Sequence, residues 1–142
     1  MATTLTKYAK LKEYLGEGIV DLGDGTIKLA LVADTYTPDY TSTGDAIWAD
    51  VSGDEVATGS GYTTGGETLT TMTVDTDAWD ADDVPWTALT KTFKYGVLYL
   101  VGTVETVVNP LIACVTFDSS AITVTAADFE VRWNASGILT FS

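Results

Sequence analysis

Histidine is absent from this 142-residue chain, cysteine occurs once, proline three times, and lysine and arginine together seven times. Each shortage excludes something. Without His, general acid–base catalysis at neutral pH loses its commonest agent. A lone Cys114 cannot close an internal disulfide, and as a nucleophile it would lack its usual base. It lies in the apolar run Leu111-Ile-Ala-Cys-Val115, where it reads as a small buried hydrophobe. Seven cations against twenty carboxylates, a net charge of −13, offer little to displace counterions from phosphate, so no nucleic-acid partner is expected. No apolar stretch reaches the length of a bilayer span, and the start MATTLTKYAK lacks the apolar centre of a signal peptide. A soluble protein made in the cytoplasm of the producing cell is therefore expected, with no membrane partner. Ser-His-Asp, Cys-His, HExxH, P-loop and GxGxxG patterns are missing too. The Gly-rich run Gly59-Ser-Gly-Tyr-Thr-Thr-Gly-Gly66 is followed by no Lys and reads as a turn, not a phosphate cradle. Neither catalysis nor a cofactor is expected.

What remains is 46% hydrophobic and 19% charged, the balance of a chain with a core. Thr is abundant, and with Val, Ile, Tyr, Phe and Trp it suits a pleated, half-buried surface. The class expected is all-β: an antiparallel β-sandwich, jelly-roll or Ig-like, with a short N-terminal helix. Residues 1–18 read as that helical segment and 19–142 as a single β-sandwich domain. Across Thr6–Leu15, Tyr8, Leu11 and Leu15 recur near one helical face, with Lys7, Lys10 and Glu13 turned away. Strands are expected at Thr26–Val32, Glu67–Asp75, Lys91–Val101, Leu111–Asp118 and Phe129–Trp133. In the third of these, Phe93, Tyr95, Val97 and Tyr99 should share one face, with Leu98 and Leu100 on the other. Asn134-Ala-Ser-Gly137 reads as a hairpin turn into Ile138–Phe141.

Residues 34 to 66 show turn chemistry and little periodicity, and so long a loop is uncommon unless it has a task. It carries Tyr36, Tyr40, Trp48 and Tyr62 among Gly and Thr. Such rings either anchor a partner or plug the open end of the fold. Lys7, Lys10 and Lys12 form a small basic cluster that is either a solvated face or a contact for an acidic neighbour. The densest acidic feature, Asp75, Asp77, Asp80, Asp82 and Asp83, lacks the EF-hand pattern, with Asp80 and Trp86 where Gly and Glu belong. It is a weak candidate for calcium, and no metal site is assigned.

Several strings taken in order resemble a family of small virion proteins of tailed bacteriophages. They are Leu15-Gly-Glu-Gly-Ile-Val-Asp-Leu22 leading into Ile27–Leu31, then Tyr36-Thr-Pro-Asp39, Asp54-Glu-Val56 and Gly61–Gly66. Trp79–Val84, the Tyr95–Tyr99 strand, Leu111-Ile112, Val131-Arg-Trp-Asn134 and Gly137-Ile-Leu139 complete the series. The resemblance implies a structural protein of the capsid surface, a decoration or cement protein bound to the major capsid protein as a dimer or trimer. It transfers no catalytic residue. A head–tail connector or tail component is the neighbouring alternative. From another class, a carbohydrate-binding module would stack sugars on Trp48, Trp79 or Trp86.

Overall fold

β-Branched and aromatic residues alternate with Thr along most of the chain, and extended structure dominates accordingly. The computed structural model describes residues 3–140. In chain order the elements are β1 (Thr4–Lys7), helix α1 (Lys10–Gly16), β2 (Thr26–Val32), β3 (Glu67–Thr68), β4 (Thr73–Val74) and β5 (Ala78–Asp80). Then follow β6 (Val84–Phe93), β7 (Tyr95–Val101), β8 (Thr103–Val104), β9 (Val107–Val108), β10 (Leu111–Thr116), β11 (Ile122–Val131) and β12 (Leu139–Thr140). Two single 3-10 turns, Trp48–Asp50 and Ser52–Asp54, interrupt the long β2–β3 connection. The fold is mostly β, with one short helix and several antiparallel sheets.

The largest sheet runs β1-β10-β7-β2-β3, and every pairing in it is antiparallel. β6 and β11 form a separate two-stranded ribbon, and β12-β5-β4 form a small third sheet. One apolar cluster joins Ile27, Leu29, Leu31, Leu98, Leu100 and Val115 of the large sheet to Val84, Trp86, Leu89 and Phe93 of the ribbon. A second covers the opposite face, where Ala30, Val32, Val97, Leu111 and Cys114 meet Tyr8, Tyr36 and Val51. β2 and β7 are thus apolar on both sides, as central strands must be.

Several local expectations need correction. The N-terminal helix is shorter and later than Thr6–Leu15, because residues 4–7 pair with β10, Thr6 opposite Cys114, before the helix opens at Lys10. Extended pairing beat a seven-residue helix that is marginal by itself. Tyr14, left out of the helical face, is buried, while Leu15 is only half-buried. The Lys91–Val101 strand breaks at Lys94, whose N–H donates to the Val32 carbonyl and whose carbonyl accepts from Phe117 N–H. That corner reverses the phase. Phe93 packs with Leu98 and Leu100, opposite Tyr95, Val97 and Tyr99. A bulge between Leu111 and Ala113 does the same in β10 and sends Leu111 to the Cys114 face.

The C-terminal turn forms, with Gly137 N–H on the Asn134 carbonyl at 2.8 Å, but it closes no hairpin onto β11. β12 pairs instead with β5, Leu139 opposite Trp79. Phe141 lies outside the described residues. The Glu67–Asp75 strand divides into β3 and β4, with Thr71 between them in the left-handed region (φ 54°).

Candidate functional site

The candidate surface is the cover over the second sheet face, made by the excursion between β2 and β3. Its inner layer is a network of rings and hydroxyls. Tyr8, fully buried, donates to Tyr36 Oη at 2.8 Å, and Tyr36 in turn donates to Asp45 Oδ2 at 2.6 Å. The Asp45 carboxylate also accepts Asp39 N–H at 2.9 Å, so one acidic group fixes both the loop and the ring chain. Tyr40 leans on Tyr8 with centroids 5.3 Å apart, and Tyr36 meets Tyr95 edge-on at 5.5 Å. Tyr62 accepts Leu31 N–H at 3.0 Å and donates to Glu55 Oε1 at 2.7 Å, tying the turn at 59–62 to the sheet.

Burial holds the phenols of Tyr8, Tyr36, Tyr40 and Tyr62 in the neutral form. Tyr8 and Tyr36 stand far above the usual phenol range, chiefly through desolvation, with the Asp45 carboxylate adding to Tyr36. Tyr62 is raised by burial and by Glu55, and Tyr40 mainly by burial. Cys114, beneath Tyr8 and Tyr40, is pushed up to about 11 by burial, which makes it an inert thiol at neutral pH.

The four loop aromatics therefore divide. Tyr36 and Tyr62 are buried within the chain and act as plugs. Tyr40 and Trp48 are half-buried and keep part of each ring at the surface. Trp48 lies flat on Tyr99, with centroids 4.3 Å apart and planes 8° from parallel. The Trp48 main-chain N–H donates to the Asn109 carbonyl at 2.8 Å, which sets the residue beside the β8–β9 hairpin. Val101 follows Tyr99 on the same strand face, and Val108 precedes Asn109. Both valines are exposed, at 41% and 49%, where apolar side chains of that size are ordinarily covered. Two exposed valines thus stand on the strand and the hairpin that Trp48 adjoins, which the alternation of the sequence did not indicate. Nothing in the alternation of β7 signals that its last valine emerges from cover.

The charge along this part of the chain is one-sided, although Lys28 Nζ and Tyr99 Oη lie together beside Gly65 and Lys94 Nζ lies 5.4 Å from the Tyr95 ring. Residues 29 to 90 contain twelve Asp and Glu and neither Lys nor Arg. Among the described residues the ion pairs are Lys10–Glu13 and Arg132–Glu130, both outside that stretch. Several loop carboxylates serve the backbone instead. Asp50 accepts from Ala46 and Ile47 N–H, and Asp39 accepts from the amide and hydroxyl of Thr41, which lowers its pKa.

The other expected residues lie elsewhere. Lys7 and Lys12 are exposed, and Lys10 is half-buried in its pair with Glu13 at 2.8 Å. The Asp-rich turn does not converge. Asp75 Oδ1 accepts from Asp77 and Ala78 N–H, which lowers its pKa, Asp82 Oδ2 accepts from Thr71, and Asp83 Oδ1 accepts from Trp133 N–H. Among the described residues no group of three or more His, Cys, Asp or Glu is placed to hold a metal ion. Trp79 and Trp86, two of the three rings offered as sugar platforms, are buried at 0% and 2% exposure. In comparisons with known proteins, the chain matches no family model, no curated protein and no solved structure.

Proposed function

We propose that this chain is a non-enzymatic structural protein of a tailed-phage particle, which binds the outside of the capsid shell and reinforces it. The ordered strings from Leu15 to Leu139 support the family. The observation that carries the mode of action is the half-buried Trp48, in a stretch of twelve carboxylates without a cation, stacked on Tyr99, with the exposed Val101 and Val108 on the strand and hairpin it adjoins. A flat, part-exposed aromatic with apolar side chains near it is what a protein–protein contact buries at its centre. The acidic stretch that carries the ring directs that contact to a basic site on another protein. The scaffold is read as a β-sandwich, the large sheet and the β6–β11 ribbon enclosing the first cluster, with the second sheet face adapted for docking.

Many identical weak contacts across shell seams sum by multivalency, so modest affinity per site suffices. Copy number separates the roles. Quantitative mass spectrometry of intact particles should return hundreds of copies, whereas six or twelve would make the chain a connector or tail component. Absence from purified particles defeats the reading outright. Cosedimentation with shells stripped of this protein tests the surface: Val101→Ser with Val108→Ser should weaken binding about tenfold, each half-exposed valine contributing roughly 0.7 kcal/mol. Added salt should weaken it further.

A further inference from the structure

We infer that Asp24–Gly25 is a site of spontaneous backbone modification, at which the Asp24 side chain becomes part of the main chain. The geometry is set by the turn between α1 and β2. Gly25 N lies 2.7 Å from Asp24 Oδ1, so the amide nitrogen already stands against the carboxyl group of the preceding residue. Both residues are exposed. Gly25 has no Cβ to shield its nitrogen and adopts a φ of +84°, a region that L side chains rarely occupy. The sequence contains no other Asp-Gly pair and no Asn-Gly pair.

The step balances with water alone. Gly25 N bonds to Asp24 Cγ, the Cγ–OH bond of the protonated acid breaks, and the amide hydrogen leaves with that hydroxyl as water. The five-membered succinimide then takes up one water. Opening at Cγ restores aspartate, and opening at the main-chain carbonyl leaves a chain linked through Cβ and Cγ. Composition and mass are unchanged, but one methylene has entered the backbone two residues before Thr26, which stands opposite Val101 in the large sheet.

The molecule supplies its own comparison. Ser119 N also lies 2.7 Å from Asp118 Oδ1, but Ser119 carries a Cβ and its hydroxyl bonds the same carboxylate. Equal reach with a hindered nitrogen isolates the contribution of glycine.

The test incubates the intact folded protein in H2-18O at neutral pH and 37 °C, followed by tryptic mapping and electron-transfer fragmentation. The peptide Glu13–Lys28 should accumulate 18O together with the fragment signature of a β-linked residue at position 24. Label should enter it at least tenfold faster than the peptide Tyr95–Arg132, which contains Asp118. Asp24→Glu, whose longer side chain must close a six-membered ring, should abolish most of that excess. The same peptide, isolated and unfolded, should react no faster than the folded protein. A faster isolated peptide would show that the turn protects the site, and equal labelling at Asp24 and Asp118 would remove the role of glycine; either result overturns the inference.

Discussion

At the residue scale the second sheet face depends on hydroxyls as much as on rings. Tyr36 serves Tyr8 as acceptor and Asp45 as donor in one buried file. Removing its oxygen takes from buried Tyr8 its oxygen acceptor and leaves Asp45 with only the Asp39 amide. Tyr36→Phe should therefore cost about 1–3 kcal/mol in denaturant unfolding, the penalty for an unpaired buried polar group. Tyr8→Phe in the Tyr36→Phe background should cost less than it does alone, since the two substitutions share one hydrogen bond. Alkali attacks the same cluster. Cys114 rises from 9.0 when unfolded to about 11 when folded, so its contribution is complete below pH 9 and is lost as pH climbs through 11. Tyr99, raised to about 12 mainly by burial, has the same sign one step later. Stability should fall above pH 9 by about 1.4 kcal/mol per pH unit for the thiol at full slope, and Cys114→Ala should flatten the curve between pH 9 and 11. Equal slopes with and without the thiol would discount it.

At the element scale β1 shows how a short edge strand is held. Tyr8 N–H donates to the Ile112 carbonyl, so by the alternation of an antiparallel ladder Thr6 also faces β10 while Leu5 N–H points outward. Thr6→Pro should cost about 3 kcal/mol, and Leu5→Pro, whose lost donor faces away from the ladder, distinctly less. Amide exchange at Cys114 should report the difference. The same strand marks where sequence reading stopped. β2 was legible to the residue, because Ile27, Leu29 and Leu31 alternate without a turn signal and the pairing obeys that alternation. β6 and β7 were not separable, since Phe93 and Tyr95 are two apart and apolar, and only the bonds of Lys94 to Val32 and Phe117 create the corner. The N-terminal periodicity was real but short, and a distant partner strand claimed its first residues. In the loop, Tyr40 and Trp48 carried a readable signal. Val101 and Val108 did not, because exposure at a strand end depends on what fails to pack there.

At the scale of the whole molecule the charge is uncompensated: −13 overall, with ion pairs at only two places among the described residues. Self-repulsion of this kind is screened by salt. The melting temperature should rise by several degrees from 10 mM to 500 mM NaCl, equivalent to about 1 kcal/mol or more for a domain of this size. Shell binding should weaken over the same range. Opposite responses of stability and affinity to one variable would separate the charge that opposes folding from the charge proposed to direct docking. A melting temperature indifferent to salt would mean that the carboxylates are too dispersed to oppose one another.

The sheet order also fixes a sequence of events in time. Residues 4–7 pair with residues 113–116, so more than a hundred residues must be synthesised before the first strand has a neighbour. Until then Tyr8 has no Cys114 face to rest on, and Leu11 and Tyr14 have no core to enter. Residues 4–15 are thus made well before their partners and settle among the last, and the second sheet face cannot be closed until they do.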